Sequence, residues 1–147
     1  MSVNDNVLYS PKPLLADIKA ADPSLQSCIR QTIEDEKIHT SSQLTRLRCS
    51  YAGIESVVGI EQFYALKELD LSNNTIEDLG PIGLLGKLTT LDINHNKIID
   101  TKPLINLLRL SDLRLTGNQK LSCDTLRKVS ETVYENNGHL EQPEHCM

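Results

Sequence analysis

Residues 66–87 read LKELDLSNNTIEDLGPIGLLGK and residues 88–109 read LTTLDINHNKIIDTKPLINLLR, so the two stretches match at nearly every apolar position. The 22-residue spacing extends in both directions, and leucines stand in register at Leu44, Leu66, Leu88 and Leu110. Self-similarity at a fixed short period is typical of a solenoid, in which each copy buries its apolar face against its neighbours. The repeats therefore predict a right-handed α/β solenoid.

Each repeat has two parts with different structural signals. The segment L-x-x-L-x-L alternates as a short strand does, so successive copies predict a parallel sheet on the concave face. The remainder contains Gly80-Pro81 and Pro103, which oppose a long helix and favour extended or 3₁₀ turns on the convex side. Asparagine follows three of the leucines at Asn74, Asn96 and Asn118. We expect these amides to lie inside the bend and donate to backbone carbonyls, which is a structural role.

The segments outside the repeats predict a cap at each end. We expect a flexible arm at 1–12, a helical N-terminal cap at 13–43, repeats at 44–121, and a helical C-terminal cap with a tail at 122–147. One cap helix is predicted at 13–21, and a second begins at Asp22-Pro23, an N-cap acceptor followed by proline. Ser122 is predicted to cap a helix of about 123–136 that ends at Asn137-Gly138, with the tail trailing back over it.

Composition argues against several kinds of partner. A net charge of −5 at pH 7, without any basic run, opposes both nucleic acid and a membrane surface, which need clustered lysine and arginine. No apolar stretch approaches the roughly 20 residues of a membrane span. The opening MSVNDNVLYS has neither the basic start nor the apolar segment of a signal peptide. Either the protein is cytosolic, or Met1 stands where a signal has been removed.

The two quoted stretches resemble the 22-residue leucine-rich repeats of the bacterial internalins. The family pattern is roughly L-x-x-L-x-L-x-x-N-x-I-x-D-I-x-P-L-x-x-L, and residues 44–61, LTRLRCSYAGIESVVGIE, resemble the first, modified repeat of such proteins. The resemblance spans about residues 22–136. It implies a leucine-rich-repeat fold in a secreted, surface or periplasmic bacterial protein that binds another protein through its concave sheet.

Side chains between the strand leucines should face out on the concave side. The predicted partner-binding residues are Arg46, Arg48, Glu68, Asp70, Thr90, Asp92, Asn94, Asp112 and Arg114, with Tyr51 nearby. In the functional interpretation, an acidic centre flanked by arginines binds a basic or arginine-bearing protein. In the alternative, Arg48 pairs with Asp70 and Arg114 with Asp92, which merely neutralises a solvated sheet, because exposed pairs contribute about 0–1 kcal/mol each.

Catalysis is not expected, although Asp70 and Asp92 satisfy the distance for a carboxylate pair. No cleft, base or nucleophile accompanies them in the sequence. We therefore predict a monomeric, non-enzymatic interaction module without cofactor or metal. The alternative is a structural or regulatory scaffold that self-associates through its caps or convex edge.

Four cysteines bear on the compartment. Cys28 lies on the apolar face of the N-terminal helix and Cys49 points inward from the first strand, so the two should meet; Cys123 and Cys146 would join the C-terminal helix to the tail. Each bridge would close a loop of about 20 residues and stabilise by roughly 3 kcal/mol. Three pairings are possible and the two local ones are favoured, with buried free thiols as the alternative. Bridges would indicate a secreted or periplasmic protein, and free thiols a cytoplasmic one.

Overall fold

Five short parallel strands and two α-helices form the framework of the chain, in a computed structural model that describes residues 12–147. The arm predicted at 1–12 lies outside the described residues, apart from Lys12. In chain order the elements are α1 (Pro23–Glu36), β1 (Arg46–Arg48), β2 (Glu68–Asp70), β3 (Thr90–Asp92), β4 (Asp112–Arg114), α2 (Cys123–Glu135) and β5 (His139–Glu141). The strands follow chain order in one sheet, which confirms the α/β solenoid.

The 22-residue period sets the strand register. Leu47 lies opposite Leu69, Leu69 opposite Leu91, and Leu91 opposite Leu113. Each of these leucines is at most 1% exposed, whereas the residues on either side point away from the interior. Between the strands the chain makes 3₁₀ turns at Ile60–Gln62, Gly80–Leu84 and Lys102–Leu104. The core is therefore a layered stack of aliphatic side chains.

Three buried asparagines link neighbouring repeats through both ends of their amides. The Asn96 amide donates to the carbonyls of Leu71 (2.9 Å) and Ile93 (3.2 Å), and its oxygen accepts from the Ile76 N–H at 3.0 Å. Asn74 and Asn118 make the same kinds of bond in the adjacent repeats. Each amide thus bridges its own repeat and the preceding one, satisfying backbone groups that the bend leaves without sheet partners.

The N-terminal cap contains one helix rather than two. Asp22 caps α1 as the sequence predicts, because its Oδ1 accepts from the Ser24 N–H at 2.8 Å. The helix predicted at 13–21 is wrong, since residues 12–20 form neither helix nor strand. Other segments take up this stretch's backbone groups: the Leu15 N–H donates to the Ile38 carbonyl at 2.9 Å, and the Ala20 N–H donates to Gln26 Oε1 at 2.9 Å.

The C-terminal cap adds a strand that the sequence analysis missed. The predicted tail does return to the start of α2, where Cys146 is bonded to Cys123, but on the way it forms β5, which pairs with β4 in parallel with Leu140 opposite Leu113. Gly138 makes this approach possible, because a Cβ there would lie 1.8 Å from the Ser111 carbonyl oxygen. The left-handed residue after α2 is Asn137, at φ 56°, rather than Gly138. Ser122 occupies the N-cap position of α2, but its side chain makes no capping hydrogen bond.

One disulfide ties the N-terminal cap to the first repeat and a second joins two parts of the C-terminal cap, as the favoured pairing predicts. Cys28 in α1 is bonded to Cys49, and Cys123 in α2 is bonded to Cys146. Cys49 is 2% exposed, so the first bridge is part of the core. Among the described residues, no helix combines the length and apolarity needed to cross a membrane.

Candidate interaction surface

The concave face consists of two outward columns of side chains, which we call column A and column B. Column A runs Arg46, Glu68, Thr90, Asp112, His139, and column B runs Arg48, Asp70, Asp92, Arg114, Glu141. Parallel neighbours lie about 4.8 Å apart, so successive members of a column are within side-chain reach. The first four members of each column are predicted site residues, and the structure places them together over the first four strands.

Ion pairs on this face differ from those expected. Arg46 contacts Glu68 at 3.3 Å in column A. Arg114 contacts Asp112 at 3.2 Å, two residues earlier on its own strand, and Glu141 of β5 at 3.9 Å. The predicted Arg114–Asp92 pairing is therefore wrong, because Asp112 and Glu141 occupy the guanidinium. Arg48 and Asp70 lie opposite each other in the register, yet they do not form one of the ion pairs found among the described residues.

The centre of the face is acidic because Asp70 and Asp92 are adjacent in column B. Oδ1 of Asp70 accepts from the Ser72 N–H (3.0 Å) and hydroxyl (2.7 Å), and Oδ1 of Asp92 accepts from the Asn94 N–H at 3.0 Å. These bonds engage Oδ1 of both carboxylates, whereas Oδ2 of each takes part in none of the hydrogen bonds found among the described residues. Partial burial and the neighbouring Asp70 raise the pKa of Asp92, against opposing effects of the Asn94 N–H and Arg114.

The strand β5 extends the face by one repeat. Glu141 lies beside Arg114 in column B, contacts His139 at 3.5 Å, and accepts from Asn94 Nδ2 at 3.4 Å. Asn94 in turn accepts from the Thr116 N–H at 2.7 Å, so its side chain is part of the surface's internal support. Sequence reasoning missed Glu141 and His139 because HLE follows a helix and lacks the repeat pattern; Gly138 was the available signal.

Tyr51 lies at the margin of the face, in the turn that follows β1. Its side chain is 80% exposed, and its backbone has a φ of 53°. It is the most exposed aromatic residue among those described, and aromatic side chains are common anchors at protein interfaces.

One cluster of cysteine and histidine side chains has the composition of a metal site, but its two cysteines form a disulfide. Ligand atoms of Cys123, His145 and Cys146 lie within 4.8 Å of one another. Both sulfurs are joined in a disulfide, so neither is available as a thiolate, which is the form that binds zinc. The His145 ring nitrogen Nε2 lies 2.9 Å from the Leu121 carbonyl oxygen, which gives this imidazole a structural partner.

Comparison with known proteins agrees with this architecture. The family model described as Leucine Rich Repeat matches residues 65–86 and 87–110. An internalin (inlF) from Listeria monocytogenes is similar, with 30% identity and a TM-score of 0.60 over 68% of this chain and 34% of that protein. Internalin C2 (inlC2) from the same species shares the fold, with 22% identity and a TM-score of 0.66 over 83% of this chain and 53% of that one.

The chain spans less than two thirds of the length of either internalin. No curated protein sequence matches it. The repeats and the fold agree with the family model and with the two solved structures. The chain is an internalin-like leucine-rich-repeat protein.

Proposed function

We propose that the protein is a non-catalytic module that binds a protein partner through columns A and B of its concave face. The observation that carries the proposal is the pair Asp70 and Asp92, which are adjacent in column B and are each fixed by hydrogen bonds to Oδ1 alone. Arginines or lysines of a partner would complete their coordination, so the partner is basic or arginine-bearing at this contact. Arg48 and Arg114, which flank the two aspartates in column B, then favour a partner whose charge alternates in sign.

Rigidity of the scaffold supports this role. Every concave side chain is carried by a strand that pairs with its neighbour, and the asparagines fix the turn behind each of β2, β3 and β4. A surface that is ordered before binding loses less conformational entropy on association. Asp70 and Asp92 are therefore presented at a fixed spacing rather than assembled by the partner.

The two disulfides support a location outside the cytosol. Bridges of this kind persist in oxidising compartments such as the periplasm or the extracellular space. We place the protein in one of these and expect it to act there as a monomer. A free-thiol count on protein isolated without reductant checks this location. Zero free thiols are expected, and four would indicate a cytosolic protein.

A reversal of charge at the centre of the face tests the binding proposal. A partner enriched on the immobilised protein from the secreted fraction of the source organism is identified, purified and titrated by calorimetry. Asp70→Lys together with Asp92→Lys should weaken its binding by more than about tenfold, because two attractive contacts become repulsive. Raised salt should weaken the wild-type complex as well.

The matched control carries the same change of charge on another surface. Glu131→Lys together with Glu135→Lys alters exposed residues of α2 and should leave the affinity unchanged. Equal affinities of the wild type and the Asp70/Asp92 variant would contradict the concave site.

A second candidate function is self-association through the convex edge. It is favoured by exposed apolar side chains there, since Leu84 and Leu108 are each 70% exposed and Tyr64 is 54% exposed. Sedimentation velocity distinguishes the two. A concentration-dependent dimer that Leu84→Lys and Leu108→Lys abolish would favour the scaffold, whereas a monomer at all concentrations would favour the concave interaction module.

A further inference from the structure

The turn after each of the first four strands contains one residue in the left-handed conformation. These residues are Tyr51 (φ 53°), Asn73 (φ 59°), His95 (φ 56°) and Gly117 (φ 83°), and we call this row the turn edge. Asparagine and glycine adopt this conformation readily, but a bulky side chain does so at a cost. The fold thus requires a left-handed residue at this position, yet the sequence supplies tyrosine and histidine in two of the four turns. Backbone strain at an exposed aromatic residue is a reason to look for function.

The His95 ring is accommodated by the next repeat. A Cβ on Gly117 would lie 2.2 Å from His95 Nδ1, so the ring lies directly over the glycine backbone. Gly117 therefore serves twice: it adopts the positive φ, and it leaves room for the imidazole. The His95 side chain is exposed and lines a surface groove that contains no member of columns A and B.

A groove begins at this histidine and runs away from the concave face. His95, Gly117, Lys97, Lys120 and Ile99 line it, together with Glu77, Gln119 and the edges of two ladder asparagines. Neither Lys97 nor Lys120 takes part in any of the ion pairs found among residues 12–147. Ile99 is 48% exposed, which gives the groove an apolar contact beside its cations.

We infer that this groove is a second contact surface, which binds an acidic segment of a protein partner. Two lysines against one glutamate leave an excess of positive charge in a chain whose net charge is −5, so the groove's charge is opposite to that of the molecule as a whole. A carboxylate between Lys97 and Lys120 would meet both ammonium groups, and a neighbouring apolar side chain would cover Ile99. The inference rests on the proposed function only in taking the partner to be a protein.

Titration of the isotope-labelled protein with two short peptides tests the groove, followed by amide NMR shifts. One probe is an acetylated hexapeptide that alternates glutamate and leucine, and the other replaces each glutamate with lysine. We expect the acidic peptide to shift the amide signals of Lys97, Gly117 and Lys120, and the lysine peptide to leave them in place. Lys97→Glu with Lys120→Glu should weaken binding of the acidic peptide by about fivefold, since each lost contact is an exposed charge pair.

Two control variants separate this result from the concave proposal. Lys102→Glu with Lys128→Glu makes the same charge change at exposed lysines outside the groove and should retain the peptide. Asp70→Asn with Asp92→Asn should also retain it, because those residues lie outside the groove. The inference is overturned if the acidic peptide produces no groove shifts at millimolar concentration, or if the Lys97/Lys120 variant binds it as tightly as the wild type.

Discussion

The two ends of the solenoid are closed by different means, although each has one helix and one disulfide. At the N-terminal end, α1 packs Leu25, Ile29 and Ile33 into the core, and the bridge joins half-buried Cys28 to Cys49, which is 2% exposed. At the C-terminal end, the bridge joins the first residue of α2 to Cys146, which is only partly buried. The first bridge therefore belongs to the packing of the fold, whereas the second fastens a peripheral segment that carries β5.

Removal of the N-terminal bridge should have the largest effect. Cys28→Ala with Cys49→Ala should lower the free energy of unfolding by about 4 kcal/mol, of which roughly 3 kcal/mol is lost loop-closure entropy and the rest a cavity at the buried sulfur. Urea unfolding monitored by circular dichroism measures it. A loss below about 2 kcal/mol would show that this bridge is no more integral to the core than the other.

Asn96 lies midway between the ends and supplies a reference for damage to the repeats themselves. Asn96→Ala should cost about 2–3 kcal/mol, because it removes three buried hydrogen bonds and leaves their backbone partners unsatisfied. The melting temperature should fall, while the concave side chains keep their positions. An unchanged melting temperature would refute the structural role of the ladder.

The C-terminal bridge should contribute less to global stability than its loop length implies. Its sequence separation of 23 is close to the 21 of the other bridge, so loop-closure entropy alone predicts nearly equal losses. Cys123→Ala with Cys146→Ala should cost only about 1–2 kcal/mol, because the tail can loosen locally without unfolding the repeats. Hydrogen exchange should accelerate at the Leu115 amide, which donates to the Glu141 carbonyl at 2.7 Å. Equal losses of unfolding free energy on removal of the two bridges would show that they do not differ in their contribution to global stability.

The pH dependence of stability tests the role of Asp22 in the N-terminal cap. Burial acts to raise the pKa of Asp22, but backbone N–H groups of Glu55, Ser56, Ser24 and Leu25 together lower it. A lowered pKa in the folded state means that the stabilisation is complete above the unfolded value of about 3.9 and is lost as the pH falls through the folded value. Asp22→Asn should therefore destabilise the protein at pH 7, and the difference should shrink as the pH falls through the folded pKa of Asp22.

Asp92 should have the opposite effect on the pH dependence of stability. Its pKa is raised, so ionisation of this group opposes folding at neutral pH, and the opposition is relieved as the pH falls through the raised value. Asp92→Asn should consequently leave stability at pH 7 unchanged or slightly higher. A loss at pH 7 as large as that of Asp22→Asn would contradict this assignment of signs.

One substitution is expected to stabilise the protein. Tyr51→Asn relieves a left-handed backbone in the turn next to the N-terminal bridge and should stabilise the protein by about 0.5–1 kcal/mol. Differential scanning calorimetry of the purified variant measures it. A loss of stability would mean that the tyrosine ring makes contacts that outweigh the strain of its backbone.

Much of the fold followed from the sequence because the repeats make local pattern and tertiary packing coincide. The leucine spacing that predicts a strand also sets the register, so Leu69 can have only Leu47 and Leu91 as its neighbours in the stack. The bridge between Cys28 and Cys49 followed from the same logic, since a helix face and an inward strand position must meet.

Prediction failed where tertiary contacts replaced the periodic pattern. Leu14, Leu15 and Ile18 have helical spacing, which predicted a helix. The backbone of this segment instead forms hydrogen bonds to Ile38 and Gln26, and the sequence pattern does not reveal these contacts. The strand β5 was missed because it has no leucine pattern. It forms because the backbone at Gly138 can approach the Ser111 carbonyl closely. The ion pairs of Arg114 were mispredicted for the same reason, since Glu141 was not known to lie beside it. The partner-binding role of the concave residues stays a prediction.

The bridges also divide the chain into covalently closed rings, spanning residues 28–49 and 123–146. A protease that cuts once inside either ring leaves the polypeptide in one piece, and the cut becomes visible on a gel only after reduction. Between the rings lies the section 50–122, where a single cut would separate the two rings, and there the hydrogen-bonded turns and the asparagines protect the backbone. Such an arrangement suits a molecule exposed to digestion, because cleavage within either ring nicks the chain without releasing a fragment.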